Sequence, residues 1–222
     1  MCGRFTLTLP PDLIAEAFGL DDIPILEARY NIAPTQPVAV VRRLQAGGPR
    51  QLDLLRWGLT LPPVAGAKTG GPVINARSES VAKRSSFRDA FRRRRCLVPA
   101  DGFYEWAPGR GGRQAFHVHR KDRRPLGLAA IWEPAGPGEA ASCVILTTEP
   151  NQLLRPIHDR MPVIVDPADY DRWLDPGSGD PDALSPLMRP HPAEPLEARA
   201  VGPAVNNAQN EGPACLDSAP LV

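Results

Sequence analysis

The chain has 222 residues, a formal net charge of +1, four cysteines and 27 prolines. The near-neutral balance excludes polyanion binding by bulk charge, so any nucleic-acid contact has to come from a local cluster of basic residues. The proline share, roughly twice the usual one, excludes a plain helical bundle; no CxxC pair exists for a zinc ribbon, and no apolar run approaches the ~18 residues of a membrane span.

The N-terminus has no apolar stretch of the signal-peptide kind. With Cys2, Cys96, Cys143 and Cys215 scattered, a reducing, cytoplasmic setting is expected. Residues 11–18 read as a short helix, with Leu13 and Ala17 four apart. Strands are predicted over 38–42, 52–59 and 73–76, each a short run between Gly and Pro. Residues 78–95 read as the longest helix, with Phe87 and Phe91 on one face. Strands follow over 96–99, 102–106, 116–120, 126–132, 143–148 and 162–165. Asp166 then caps a helix that has Pro167 at its first position and runs through Trp173. A last strand is predicted over 198–201. Segments 45–51, 61–72, 107–114, 133–141 and 175–194 read as Gly/Pro-rich loops, none long enough to separate two domains. The pattern points to a mostly antiparallel sheet or barrel-like core.

Several residues carry possible chemistry, each with a plainer alternative. Cys2 follows Met1 directly and precedes Gly3. Removal of Met1 gives one residue both a free α-amine and a thiol. An α-amine, with a pKa of ~7.7–8.0, is far more available near neutrality than a lysine at ~10.4. It attacks an aldehyde to form an imine, and the neighbouring thiol can close a five-membered thiazolidine. The alternative is an incidental small residue at the chain start. Asn75 and Arg77 follow an apolar run. They suit hydrogen bonding to a ligand and forking onto a phosphate, or a turn and a solvated cation. Residues 77–95 hold eight basic against two acidic positions, a local balance of +6; this is a phosphate-binding surface or a solvated helix face. Glu105 stands among Phe103, Tyr104 and Trp106, either as a carboxyl of raised pKa or as an edge-strand acid facing water. His158, beside Asp159 and Arg160, reads as a proton shuttle or a structural histidine. His117 and His119 read as ordinary positions on one strand face. No cluster has metal-ligand spacing, and no metal is predicted.

In their order and spacing, Met1–Phe5, Arg29-Tyr30-Asn31-Ile32-Ala33-Pro34, Arg56-Trp57-Gly58, Ile74–Glu79, Asp101–Trp106, Ile157–Pro162 and Val205-Asn206-Asn207 resemble the SOS-response-associated peptidase (SRAP) family of abasic-site crosslinking proteins. The resemblance covers nearly the whole chain. It implies one α+β domain over residues 1–222, with a mostly antiparallel β-barrel-like core and a few flanking helices. It also implies a positively charged groove for single-stranded DNA containing abasic sites. Cys2 becomes the crosslinking nucleophile, and Asn75, Glu105 and His158 the other active-site residues. Arg4, Arg77, Thr147 and Arg160 correspond to DNA contacts, and Pro34 and Trp57 lie near that surface. The family often carries tryptophans shortly after its Trp-Gly pair. Here the stretch is Leu59-Thr60-Leu61-Pro62-Pro63-Val64, which removes base stacking worth about 1–3 kcal/mol per base.

The mechanism implied is attack of the Cys2 amine on the C1′ aldehyde. Glu105 shuttles protons. His158 helps open the sugar or assists reversal or DNA lyase activity. Asn75 orients the adduct. No cofactor and no membrane partner is expected, and the protein is expected to act as a monomer, nucleoid-associated when bound to DNA. The family name adds a peptidase activity limited to exposing Cys2, with methionine aminopeptidase as the other route. Two rival readings remain: an N-terminal-nucleophile cysteine amidohydrolase, whose members also begin Met-Cys-Gly, and a non-catalytic DNA-binding module in which Cys2 is incidental.

Overall fold

A computed structural model describes residues 2–60, 71–109, 112–136 and 140–219. In chain order these form β1 (Phe5–Leu7), α1 (Pro11–Phe18), β2 (Arg29–Ile32), β3 (Pro37–Arg42), β4 (Gln51–Trp57) and β5 (Asn75–Arg77). Next come α2 (Ser78–Val81), α3 (Ser85–Arg93), β6 (Arg95–Ala100), β7 (Gly102–Gly109), β8 (Gly112–Arg120), β9 (Leu126–Glu133) and β10 (Ser142–Thr148). The chain finishes with β11 (Met161–Pro162), β12 (Ile164–Val165), α4 (Tyr170–Leu174), α5 (Pro181–Leu184) and β13 (Leu196–Ala200), joined by short 3-10 turns.

Two sheets organise these strands. β10, β4, β3, β6 and β9 pair in turn, and β9 pairs back onto β10, which closes a five-stranded barrel. Only its β10–β4 seam is parallel. Closure leaves these five strands no open edge. The second sheet is antiparallel, in the order β13-β8-β7-β1-β2. One continuous apolar core joins the two, and Phe5 of β1 meets Trp57 of β4 edge-on at 5.2 Å between ring centres. The expected α+β class with a barrel-like core is the observed one. No described helix is long and apolar enough to cross a membrane.

The helix predicted over 78–95 is broken. Arg84 is extended (φ −72°, ψ 127°), so α2 ends and α3 starts afresh at Ser85. Phe87, Ala90 and Phe91 make the buried face of α3. Arg95 leaves the helix for β6 and is only 2% exposed. It donates to the carbonyls of Phe91, Arg92, Trp173, Asp175 and Ser178, so its charge binds backbone rather than facing solvent. Arg94 pairs with Glu133 at 2.8 Å. The exposed basic set is therefore Arg77, Lys83, Arg84, Arg88, Arg92 and Arg93.

Three other differences are local. The stretch 107–114, expected as a loop, extends β7 and β8 into a long hairpin, with Pro108 opposite Arg113. In α1 the buried stripe is Ile14, Ala15 and Phe18, while Leu13 is 44% exposed. Residues 175–194 contain α5 and a 3-10 turn. Asp166 does cap its helix, accepting the Ala168 N–H at 3.0 Å, although the first turn is 3-10 and α4 follows it.

Candidate active site

β1 and β7 run antiparallel with Phe5 opposite Phe103, which sets the start of the chain beside Glu105. β5 lies parallel to β10, with Asn75 opposite Ile145. The segment carrying His158 returns from β10 and enters β11, whose Met161 and Pro162 pair with Thr148 and Thr147. Both sheets thus contribute to one place.

Cys2 is fully buried there, and Asn75 Nδ2 donates to its carbonyl at 2.9 Å. This bond fixes the amide, leaving Asn75 Oδ1 buried with no hydrogen-bond partner among the described residues. Such an acceptor is costly to bury empty and suits a ligand's donor. Burial, aided by the Glu105 charge, holds the Cys2 thiol well above its ordinary pKa. The thiol is therefore protonated at neutral pH and needs a base before it can react. Glu105 is 1% exposed, and burial pushes its carboxyl up to about 7 against the pull of Arg113. Its acid and carboxylate forms are then both populated near neutrality.

His158 Nε2 lies 3.8 Å from Glu105 Oε2. The Arg160 backbone N–H donates to His158 Nδ1 at 3.0 Å, while Asp159 Oδ1 approaches the same nitrogen at 2.9 Å. Burial lowers the His158 pKa, and Asp159 opposes that shift. Cys2, Asn75, Glu105 and His158 are therefore brought together at one place.

The other expected positions behave differently. Arg77 is exposed at the end of β5, two residues on from Asn75. Arg4 is half-buried, donates to Asn31 Oδ1 (2.8 Å) and the Val205 carbonyl (2.7 Å), and sits 5.9 Å from the centre of the Trp106 ring. Asn31 in turn donates to the carbonyls of Asn207 and Asn210. The Arg29–Pro34 and Val205–Asn207 motifs are thus one hydrogen-bonded assembly behind the site. Pro34 is half-buried and starts a tight turn in which Thr35 takes φ 72°, a region β-branched residues rarely enter. The Thr35 N–H donates to the Trp57 carbonyl at 2.8 Å, which holds the turn.

Trp57 and Thr147 are both 0% exposed. Trp57 donates from its indole to the Ile74 carbonyl at 3.0 Å and fills the core, so it presents no ring to a surface. The Thr147 hydroxyl faces the Ala76 carbonyl at 3.5 Å. Both were expected near or on the DNA surface; the sheet register turns both side chains inward. Arg160 spends its fork on Glu79, at 2.6 and 2.9 Å, and on the Thr147 carbonyl at 2.6 Å. Leu61 to Val64 lie outside the described residues.

Arg113, whose charge reaches Glu105 and His158, was missed because its stretch read as a loop. Closely spaced glycines at 109, 111 and 112 between two β-rich runs were the available signal. His117 and His119 are buried; His117 Nε2 lies 3.1 Å from the Thr6 hydroxyl. Among the described residues no three His, Cys, Asp or Glu side chains could hold a metal.

The profile of the family described as SOS response associated peptidase (SRAP) matches residues 1–208. The chain is 37% identical over 225 residues to the abasic site processing protein YoqW of Bacillus subtilis, covering 98% of this chain and 100% of that one. It is 31% identical to the abasic site processing protein YedK of Escherichia coli, covering 96% and 97%. It is 28% identical to the abasic site processing protein HMCES of Xenopus tropicalis, covering 97% of this chain and 78% of that one. Among solved structures, a protein from Bacteroides thetaiotaomicron superimposes with a TM-score of 0.79 at 20% identity, covering 98% and 100%. One from Bordetella bronchiseptica gives 0.75 at 26% identity, covering 90% and 100%.

Proposed function

The chain belongs to the SOS response associated peptidase (SRAP) family, and from that premise we propose that it recognises abasic sites in single-stranded DNA and captures them covalently through Cys2 once Met1 has left. The observation that carries this reading is the burial of Cys2 beside Glu105, a carboxyl titrating at about 7. A ring-opened abasic sugar presents an aldehyde at C1′. The Cys2 amine adds to that carbon, giving a carbinolamine. Glu105 in its acid form protonates the departing hydroxyl, water leaves, the nitrogen gives its proton to solvent and an imine remains. Glu105, now a carboxylate, takes the thiol proton as sulfur bonds to the imine carbon. The pair of electrons from the C=N bond returns to nitrogen, which takes up a proton and completes the thiazolidine. One group serves twice because its pKa lies close to the working pH.

His158 assists opening of the sugar, with its Nε2 on the Glu105 side of the site. Asn75 holds the Cys2 carbonyl and offers Oδ1 to a hydroxyl of the opened sugar. Arg77, exposed two residues on from Asn75, takes a flanking phosphate, and the exposed Lys83 and Arg84 before α3, with Arg88, Arg92 and Arg93 on it, extend the electrostatic attraction. Such contacts carry no sequence information. An abasic nucleotide also has no base to lift from a stack, which lowers the cost of entry.

The test is intact-mass measurement after mixing the processed protein with a single-stranded oligonucleotide carrying one abasic site. The expected species has the summed mass less one water and no Met1. A wild-type protein that lacks Met1 and gains no mass refutes the reading; glutaminase activity in its place supports the amidohydrolase.

A further inference from the structure

His158 Nδ1 has two competing partners, and they demand opposite proton positions. The Arg160 backbone N–H at 3.0 Å requires Nδ1 to accept. The Asp159 carboxylate at 2.9 Å requires Nδ1 to donate. A neutral imidazole satisfies only one of them, and the choice decides what Nε2 presents to Glu105 Oε2, 3.8 Å away. With Arg160 as the partner, Nε2 carries the proton and faces the carboxyl as a donor. With Asp159, Nε2 faces it with a lone pair.

The position of the Arg160 backbone is fixed from its own side chain. Glu79 grips the guanidinium in a two-bond fork at 2.6 and 2.9 Å, and the Thr147 carbonyl takes a third bond at 2.6 Å. The Arg160 side chain is only 13% exposed. Bidentate carboxylate–guanidinium pairs are the geometrically demanding kind. Glu79 stands in α2, which follows directly from the strand bearing Asn75 and Arg77. Asp159, by contrast, has a side chain 86% exposed and, among the described residues, is held by no comparable fork.

We propose that Glu79 is a positioning residue: by clamping Arg160 it keeps the Arg160 N–H on His158 Nδ1 and so selects the Nε2–H tautomer that faces Glu105. Arg160 is then a strut within the site, with its terminal nitrogens committed to protein rather than to DNA phosphate. The role assigned to His158 rests on the function proposed above; the tautomer selection does not.

The experiment compares the full chain with Glu79→Gln, Glu79→Ala, His158→Ala and the Glu79→Ala/His158→Ala pair. Nitrogen NMR of the His158 ring, recorded without DNA, is expected to give the Nε2–H form in the wild type and a shift toward Nδ1–H in Glu79→Ala. At saturating abasic oligonucleotide, the rate of covalent product formation should fall roughly tenfold in Glu79→Ala and less in Glu79→Gln. Affinity for a stable tetrahydrofuran abasic analogue should change by less than about twofold. In the His158→Ala background the Glu79 change should add nothing, because both act through one ring. An unchanged tautomer, an equal rate loss in the His158→Ala background, or a loss of affinity in place of rate each overturns the proposal. If the wild type forms no covalent product, the crosslinking function fails, and the NMR comparison alone decides the role of Glu79.

Discussion

At the scale of single residues, the site rests on burial acting in opposite senses on acids and bases. It raises Glu105 and the Cys2 thiol and lowers His158. The Glu105 shift has a consequence for stability. In an unfolded chain a glutamate titrates at ~4.3; in the folded protein Glu105 titrates at about 7. Between those values the folded state binds the extra proton, so this group's contribution to stability falls as pH rises through the window and is lowest above it. Glu105→Gln should therefore melt higher than wild type near about pH 8 and no higher near about pH 4. The same substitution should slow crosslinking by roughly 10²–10⁴-fold, since the amide carries no proton to exchange. A variant that melts lower at both pH values, or crosslinks at the wild-type rate, contradicts the assignment. Glu105 was legible in the sequence as an acid among aromatics. The commitments of Arg4 and Arg160 were not, because a sequence does not say which carbonyl or carboxylate an arginine meets across the fold.

At the scale of elements, close packing makes two otherwise unremarkable positions sensitive. Arg95 satisfies carbonyls from α3, from α4 and from the segment after it, so Arg95→Ala should cost about 3–5 kcal/mol by leaving them buried and unpaired. Urea denaturation measures this, and a loss below about 1 kcal/mol would show the carbonyls to be solvated. At Gly102 an added Cβ would stand 2.2 Å from His117 Nε2 and 2.9 Å from the Val118 carbonyl. Gly102→Ala should therefore destabilise by about 1–3 kcal/mol or more and loosen the β7–β8 pairing behind Glu105; an unchanged melting temperature would contradict that packing. Strands of the barrel could be read from their apolar runs, as in 38–42, 126–132 and 143–148. β1 and β2 could not, since three or four residues give too little period to detect. The break between α2 and α3 was equally hidden. Its cause is an extended Arg84 within a run of good helix formers, with Arg95 drawn into the core by its carbonyl partners.

At the scale of the whole molecule, a net charge of +1 coexists with exposed basic residues gathered at the end of β5, between α2 and α3, and on α3. DNA binding should be salt-sensitive and sequence-tolerant. Arg77→Ala should weaken binding evenly across oligonucleotide sequences and reduce the slope of log affinity against log salt by about one. A sequence-dependent loss would instead make Arg77 a base reader. The fold class, and the gathering of Cys2, Asn75, Glu105 and His158 at one place, could be anticipated from the order of the motifs along the chain; the closure of the barrel and the inward turn of Trp57 and Thr147 depend on strand register, which composition does not encode. The most direct measurement is a denaturing gel, without borohydride, of processed wild type and Cys2→Ala mixed with a single-stranded oligonucleotide bearing one abasic site. A shifted band that survives heating is expected from the wild type and not from Cys2→Ala. A band of equal intensity from both proteins, or none from wild type shown to lack Met1, would contradict it.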